Sequence, residues 1–129
     1  MTIVKDDKEY DVIVVGSGGG ALLAAVRAHD LGLSVLVIEK SDQYGGTTAT
    51  SAGTIWVIGT RQAREMGSTD NIDDARRYLD AIIGPSTDDR RDIYLTTGKD
   101  VVEYLDSRTE VKFSAYTRHP DYLVNRPGS

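Results

Sequence analysis

The N-terminal third of the chain alternates between strand-like and helix-like hydrophobic patterns, and this alternation constrains the fold more than any other feature. An apolar run over 10–15 ends in a cluster of glycines, a helical pattern follows, and a second apolar run over 34–38 ends in Glu39. A strand, a helix and a strand in this order form a βαβ unit, in which the helix returns the chain so that the two strands are parallel and the crossover is right-handed. We therefore predict a helix from about Gly18 to Leu31 between two parallel strands, with helices covering both faces of the first strand.

The glycines that follow the first strand are spaced as a phosphate-binding turn requires. Gly16 allows a sharp turn off the strand, Gly18 lets backbone N–H groups approach a pyrophosphate, and the small Ala21 lets the helix lie close to the sheet. The helix N-terminus adds partial positive charge, and Glu39 follows at about the 20-residue distance expected for an acid that binds ribose hydroxyls. The pattern predicts dinucleotide binding; the alternative is a glycine-rich turn that binds nothing. The candidate contacts in this turn are Gly16, Ser17, Gly18, Gly19, Gly20 and Ala21.

The composition excludes several other classes of protein. The 129 residues suit one modest domain, and the net charge of −5 argues against nucleic acid or an anionic membrane as the main partner. No apolar run approaches the roughly 20 residues of a membrane span, and the N-terminus lacks the apolar core of a secretion signal. With no cysteine and only two histidines, we predict no metal site. We expect a soluble cytoplasmic protein.

Beyond the βαβ unit the sequence pattern is mainly helical. A short helix is expected over 61–66, and Asn71 is expected to cap a helix that ends at Ile83. Thr87 is expected to cap a further helix that runs through Leu105, and a brief strand is expected over 110–113. The fold class that we predict is α/β: a Rossmann-like βαβ unit followed by helices.

A second glycine cluster indicates which dinucleotide is bound. The segment Glu39-Lys40-Ser-Asp-Gln-Tyr-Gly45-Gly46-Thr47 resembles the extended FAD signature of flavoproteins with two dinucleotide domains, and it disfavours an NAD-binding module. The longer stretch from Gly45 to Trp56 is similar to the 3-ketosteroid Δ1-dehydrogenases, within the fumarate reductase/succinate dehydrogenase flavoprotein group. The resemblance continues through the helical stretches to the C-terminal residues of the chain, where His119-Pro-Asp-Tyr122 is similar to an Asp-Tyr segment of that family.

This resemblance implies a larger FAD site than the first glycine turn alone. The succinate dehydrogenase histidine that binds flavin covalently has no equivalent near residues 45–51, so the FAD is expected to be non-covalent. The resemblance adds further candidate FAD contacts to those of the first turn and Glu39: Lys40, Gly45, Gly46, Thr47, Thr48, Thr50, Ser51, Ala52 and Gly53.

The resemblance also implies a reaction, the oxidation of a ketone to the α,β-unsaturated ketone. Tyr122 matches the family tyrosine that assists the catalytic base or lines the pocket, and His119 falls where the family presents an aromatic pocket residue. A packed loop tyrosine and a surface turn are the alternative interpretations of these two residues. Two other functions remain open: a fumarate-reductase-like enzyme that reduces an activated alkene, and a nucleotide-binding subunit without catalytic activity.

Members of the family are several times longer than this chain. We therefore expect residues 1–9 to form an N-terminal tail and residues 10–129 to form the N-terminal part of the FAD-binding domain of a two-domain flavoprotein. The rest of that domain would come from a second polypeptide, in a heteromer or a nicked precursor, or from a missing C-terminal part. The other expected partner is a small-molecule ketone substrate.

Overall fold

The computed structural model describes residues 7–116 and 122–129. The chain divides into two compact units, Met1–Ile55 and Trp56–Ser129. In the described part of the chain, no helix combines the length and the apolar character needed to cross a membrane.

The first unit is a βαβ unit followed by a short helix. Strand β1 spans Val12–Val15, helix α1 spans Gly19–Asp30, strand β2 spans Val35–Ile38 and helix α2 spans Gly46–Thr50. The two strands pair in parallel, in a register that runs from Val12 opposite Val35 to Val15 opposite Ile38. Helix α1 packs against both strands. The predicted parallel βαβ unit is therefore confirmed, and its elements begin and end within a few residues of the predicted bounds.

The prediction that helices cover both faces of β1 is wrong for the described residues. Successive side chains of a strand point to opposite faces of the sheet, and in β1 the exposure alternates accordingly. Val14 is 9% exposed, whereas Ile13 is 58% exposed and Val15 is 79% exposed. An apolar strand sequence predicts burial on both faces, but within the described residues the extensive helix packing on the sheet comes from α1. One apolar face of the sheet is therefore uncovered.

A serine and an aspartate tie the beginnings of the two strands together. The Ser34 hydroxyl and the Ser34 N–H both donate to Asp11 Oδ2, at 2.6 and 2.8 Å, and the Asp11 N–H donates to Ser34 Oγ at 3.0 Å. These hydrogen bonds, led by the one from the Ser34 hydroxyl, lower the pKa of the Asp11 carboxyl. The pair lies at the end of the sheet opposite to the glycine turn, where it fixes the strand ends.

The second unit contains three helices: α3 over Arg61–Glu65, α4 over Ile72–Ile83 and α5 over Arg90–Arg108. The predicted cap of α4 is confirmed, because Asn71 Oδ1 accepts a hydrogen bond of 2.9 Å from the Asp74 N–H. Helix α4 ends at Gly84, whose backbone angles (φ 82°, ψ 164°) lie in a region almost restricted to glycine.

Two predictions for the second unit are wrong. The N-cap of α5 is Asp89 and not Thr87, because the preceding chain is held in a tight turn in which Ser86 Oγ accepts from the Asp88 N–H at 3.1 Å. Residues 110–113 form no strand, since the described residues offer them no partner strand with which to pair.

The core of the second unit lies between α4 and α5. Ile58, Ala75 and Leu95 form the buried cluster, and Ile72 and Leu79 pack against it. Tyr78 and Val102 are also buried, and the ring of Trp56 lies 6.1 Å from the ring of Tyr78, centroid to centroid. Interhelical ion pairs join the same two helices at the surface: Arg76 with Asp92, and Arg91 with Asp80.

The variant Leu95→Ala tests this core. The Leu95 side chain is 2% exposed, and truncating a buried leucine to alanine costs about 2–5 kcal/mol of the free energy of unfolding. The matched control is Ile93→Ala in the same helix, because Ile93 is 52% exposed and its truncation is expected to cost less than about 1 kcal/mol. Urea unfolding of both variants measures the difference; equal losses would show that α5 does not pack as described.

Candidate dinucleotide-binding site

The glycine turn leaves β1 with a backbone conformation that only glycine adopts freely. Gly16 has a φ of +96°, and its N–H donates to the Ile38 carbonyl at the end of β2, at 2.7 Å. A Cβ built on Gly16, Gly18 or Gly20 would meet no atom within 4 Å. The backbone of the turn is therefore open to close approach at these three positions.

The N-terminus of α1 presents N–H groups at this turn. Gly18 is the N-cap, and the first N–H groups of a helix have no acceptor within the helix. The Gly19 N–H donates to Thr48 Oγ1 at 3.0 Å, whereas among the described residues no acceptor is found for the N–H groups of Gly20 and Ala21. These two donors and the helix dipole suit a pyrophosphate.

The carboxylate of Glu39 is held in place by the glycine turn itself. Its Oε2 atom accepts from the Ser17 hydroxyl at 2.6 Å and from the Ser17 N–H at 3.0 Å, and its Oε1 atom accepts from the Ser41 N–H at 3.0 Å. A carboxylate oxygen accepts about two hydrogen bonds, so Oε2 is filled and Oε1 retains the greater capacity for a further donor. The Glu39 carboxylate can thus take a ribose hydroxyl through Oε1.

The hydrogen bonds to Glu39 also stabilise its ionised form. The Ser17 hydroxyl, followed by the Ser41 N–H, lowers the pKa of the Glu39 carboxyl from 4.5 to about 2. The group is therefore ionised at any pH near neutrality, which is the state that accepts a hydrogen bond from a ribose hydroxyl.

The low pKa of Glu39 gives a pH prediction. A carboxyl whose pKa is lowered by folding stabilises the folded state fully above its ordinary value, here 4.5, and this contribution is lost as the pH falls towards about 2. We expect the carboxyl carbon resonance of Glu39 to titrate near the lower value in a ¹³C NMR pH series. A midpoint at the ordinary value would contradict the bonded geometry.

The second glycine cluster packs against the first. Gly45 is the N-cap of α2 with a φ of 106°, and its N–H donates to Ser17 Oγ at 2.8 Å. A Cβ on Gly46 would lie 3.5 Å from the Cα atom of Gly18. The Thr48 hydroxyl reaches the start of α1 at the Gly19 N–H. The two glycine clusters therefore form one surface within the first unit, with Glu39 at its edge.

Several of the predicted FAD contacts form local hydrogen bonds. The hydroxyls of Thr50 and Ser51 donate to the carbonyl oxygens of Thr47 and Thr48, at 3.0 and 2.8 Å, and Ser51 Oγ also accepts from the Gly53 N–H at 3.0 Å. These bonds close the end of α2. Of the candidate contacts that the resemblance adds, Gly45 is buried and the others are exposed: Lys40, Gly46, Thr47, Thr48, Thr50, Ser51, Ala52 and Gly53.

Of the two predicted catalytic residues, the structure describes Tyr122, in the second unit. Tyr122 is 96% exposed, so it does not pack into the core of that unit. His119 lies outside the described residues. A catalytic role for either residue stays a prediction.

The sequence interpretation missed the way in which Ser17 and Thr48 are used. Both residues were predicted as cofactor contacts, but the hydroxyl of Ser17 is taken by Glu39 and Gly45, and that of Thr48 by Gly19. A hydroxyl residue inside a glycine turn that is followed by a distant acid is the signal that would have suggested the Ser17–Glu39 pair.

Residues 11–127 match the FAD binding domain family, and the chain belongs to that family. The fold class predicted from the sequence is thereby confirmed, and the cofactor of the domain is FAD. The site described above fits that cofactor, with open space over the glycines, N–H donors at the α1 N-terminus and an ionised Glu39.

The most informative comparisons within this family are with dehydrogenases of ketones. The chain is 41% identical, over 88% of its length, to a 3-oxosteroid 1-dehydrogenase of Rhodococcus opacus, and 38% identical, over 93%, to a 4-oxocyclohexanecarboxylate 2-dehydrogenase of Sinomonas cyclohexanicum. These alignments cover 22% and 21% of the two relatives. A crystal structure of 3-ketosteroid Δ1-dehydrogenase from Sterolibacterium denitrificans, in complex with 1,4-androstadiene-3,17-dione, matches with a TM-score of 0.82 and 49% identity over 92% of this chain and 21% of that one.

These comparisons confirm the resemblance to the 3-ketosteroid Δ1-dehydrogenases. They also show that the chain spans about a fifth of the length of the relatives that it matches.

Proposed function

We propose that this chain is the FAD-binding part of a flavin-dependent oxidoreductase that dehydrogenates a cyclic ketone to the α,β-unsaturated ketone. The observation that carries the proposal is the joined surface of the two glycine clusters and Glu39, in a chain that is similar to dehydrogenases of ketones. By their names, two of those relatives act on an oxosteroid and on an oxocyclohexane carboxylate, and both substrate names describe a ketone on a carbon ring. The substrate class common to them is therefore a cyclic ketone.

In the proposed reaction the chain binds and orients the cofactor. The N–H groups of Gly20 and Ala21 would bind the pyrophosphate, and Glu39 would accept a hydrogen bond from a ribose hydroxyl through Oε1. FAD, when bound non-covalently, supplies the acceptor for the hydride that leaves one ring carbon. Tyr122 would assist removal of the proton from the carbon next to the ketone, and His119 would line the substrate pocket.

We further propose that additional polypeptide completes the site. One apolar face of the sheet is uncovered, with Ile13 and Val15 exposed, and large exposed apolar patches mark interaction surfaces. Either a continuation of the same chain or a second polypeptide, in a heteromer or a nicked precursor, would cover that face. The cytoplasmic location stays a prediction from the sequence.

The test of this function uses the protein as isolated, with any polypeptide that accompanies it. Under anaerobic conditions, addition of a cyclic ketone is expected to bleach the flavin absorbance. Subsequent addition of an artificial electron acceptor is expected to restore it. Oxidation of the reduced flavin by an activated alkene, with no bleaching by any ketone, would support the fumarate-reductase-like alternative. FAD binding without either reaction would support the non-catalytic subunit.

The variant Tyr122→Phe tests the catalytic proposal for that residue. The phenolic oxygen is lost and the ring is kept, so the rate of flavin reduction is expected to fall about 100-fold or more, the lower end of general acid–base contributions, while the FAD content stays the same. Tyr116→Phe is the matched control, since Tyr116 is also exposed, at 70%, and has no proposed role. Unchanged kinetics in Tyr122→Phe would remove Tyr122 from the site.

A further inference from the structure

We propose that Ser17 is a positioning residue of the FAD site, which acts on the cofactor through Glu39 and the second glycine cluster and not by direct contact. The inference rests on the proposed FAD-binding function and adds to it the means by which the binding surface is preformed. It replaces the direct contact that the sequence suggested for this residue.

The burial of Ser17 is the first argument. Ser17 is 2% exposed, although it stands between two glycines of the open turn. Among the described residues it is the one polar or charged residue that is buried. A hydroxyl has one proton to donate, and that proton is given to Glu39 Oε2 at 2.6 Å. Ser17 therefore has neither the surface nor the free proton that a direct contact to a phosphate oxygen requires.

The second argument is that Ser17 joins three separate segments of the chain. Its hydroxyl and its N–H donate to Glu39, at the end of β2, and its Oγ atom accepts from the Gly45 N–H at the start of α2. The Glu39 side chain is flexible by nature, and holding it before the ligand arrives removes part of the entropy cost of binding. The same hydroxyl holds Gly45, and hence the neighbouring Gly46, over the first turn.

The chain contains a matched control for this pair. At the opposite end of the sheet the Ser34 hydroxyl donates to Asp11 Oδ2 at 2.6 Å, and the Ser34 N–H donates to the same oxygen at 2.8 Å. The chemistry and the lengths are nearly those of the Ser17–Glu39 pair, but Ser34 lies away from the glycine clusters. A variant of Ser34 therefore shows the effect of losing a serine–carboxylate pair in general, and a variant of Ser17 shows the effect of losing such a pair at the glycine clusters.

The experiment compares Ser17→Ala and Ser34→Ala in the protein as isolated, after removal and titration of FAD. We expect Ser17→Ala to raise the dissociation constant for FAD by about tenfold or more, the factor that corresponds to about 1.4 kcal/mol. We expect Ser34→Ala to change it by less than about twofold. Equal changes in the two variants would overturn the proposal.

A double-mutant cycle separates positioning from general structural support. If Ser17 acts through Glu39, the Ser17→Ala change is expected to cost much less affinity in a Glu39→Ala background, which has no side-chain acceptor, than in the wild type. Two independent roles would instead give additive losses. Additive losses, together with an unchanged titration of the Glu39 carboxyl in Ser17→Ala, would overturn the proposal. Ser17→Cys keeps the shape of the side chain with a slightly larger atom and weakens the donor, so it serves in the same tests if the alanine variant does not fold.

The two proposals fail in different ways. If the wild-type protein binds no FAD, the proposed function fails. The effect of Ser17 on its two partners can then still be measured by the NMR titration of Glu39 and by the amide resonance of Gly45. Ser17→Ala is expected to shift both, and Ser34→Ala is expected to leave both unchanged.

Discussion

Replacing Gly45 with alanine is expected to disrupt the first unit and to remove most of the bound FAD. Gly45 has a φ of +106°, and an added Cβ would lie 2.5 Å from the Cβ atom of Ala49. The backbone strain costs about 1–3 kcal/mol. Relief of the clash would move α2 and break the hydrogen bond from the Gly45 N–H to Ser17 Oγ, at a further cost of about 0.5–1.5 kcal/mol.

The matched control for this variant is Gly32→Ala. Gly32 has a similar φ of +83°, but an added Cβ there would meet nothing within 4 Å, so only the backbone strain remains. Urea unfolding and the FAD content of both variants give the comparison. We expect Gly45→Ala to be the less stable of the two and to lose the cofactor; if the two variants behave alike, the second glycine cluster does not pack as described.

Replacing Glu39 with alanine is expected to give the largest loss of cofactor affinity without a change of backbone. The substitution removes the carboxylate proposed to bind a ribose hydroxyl and leaves the buried Ser17 hydroxyl without its acceptor. Hydrogen bonds to charged groups contribute about 1.5–3 kcal/mol each, so the dissociation constant for FAD is expected to rise about 100-fold.

Glu65→Ala is the control for the charge change. The Glu65 side chain is 61% exposed and forms a surface ion pair with Arg61, which contributes little to stability. Fluorescence titration with FAD measures both variants. An affinity in Glu39→Ala that equals that of Glu65→Ala would show that the carboxylate is not part of the site.

The elements that the sequence predicted well are those whose signals are local. The strand–helix–strand period and the cap at Asn71 depend on residues close together in the chain, and the structure has both of them. The wrong predictions depend on partners. Residues 110–113 have strand-forming side chains but no neighbouring strand among the described residues. Strand β1 has an apolar sequence, but its side chains are buried on one face of the sheet and exposed on the other.

The sequence predicts which residues belong to the site, but not their mutual contacts. The glycine turn and Glu39 are predicted from their spacing, and Gly45 from the resemblance to FAD-binding flavoproteins. Spacing does not state which hydroxyl bonds to which acceptor, because Ser17 and Glu39 meet only when the strands pair. The side-chain partners of Ser17 and Thr48 therefore had to come from the structure.

The central claim is that the N-terminus of α1 and the packed glycine clusters bind FAD, and glycine amide resonances test it most directly. Selective ¹⁵N labelling of the 13 glycines gives one amide signal for each position in the protein as isolated, without and with FAD. The account predicts that the signals of Gly18, Gly20 and Gly46 move on addition of FAD, while those of Gly32 and Gly84 stay in place. Bound FAD with unmoved signals at the first three glycines would contradict it.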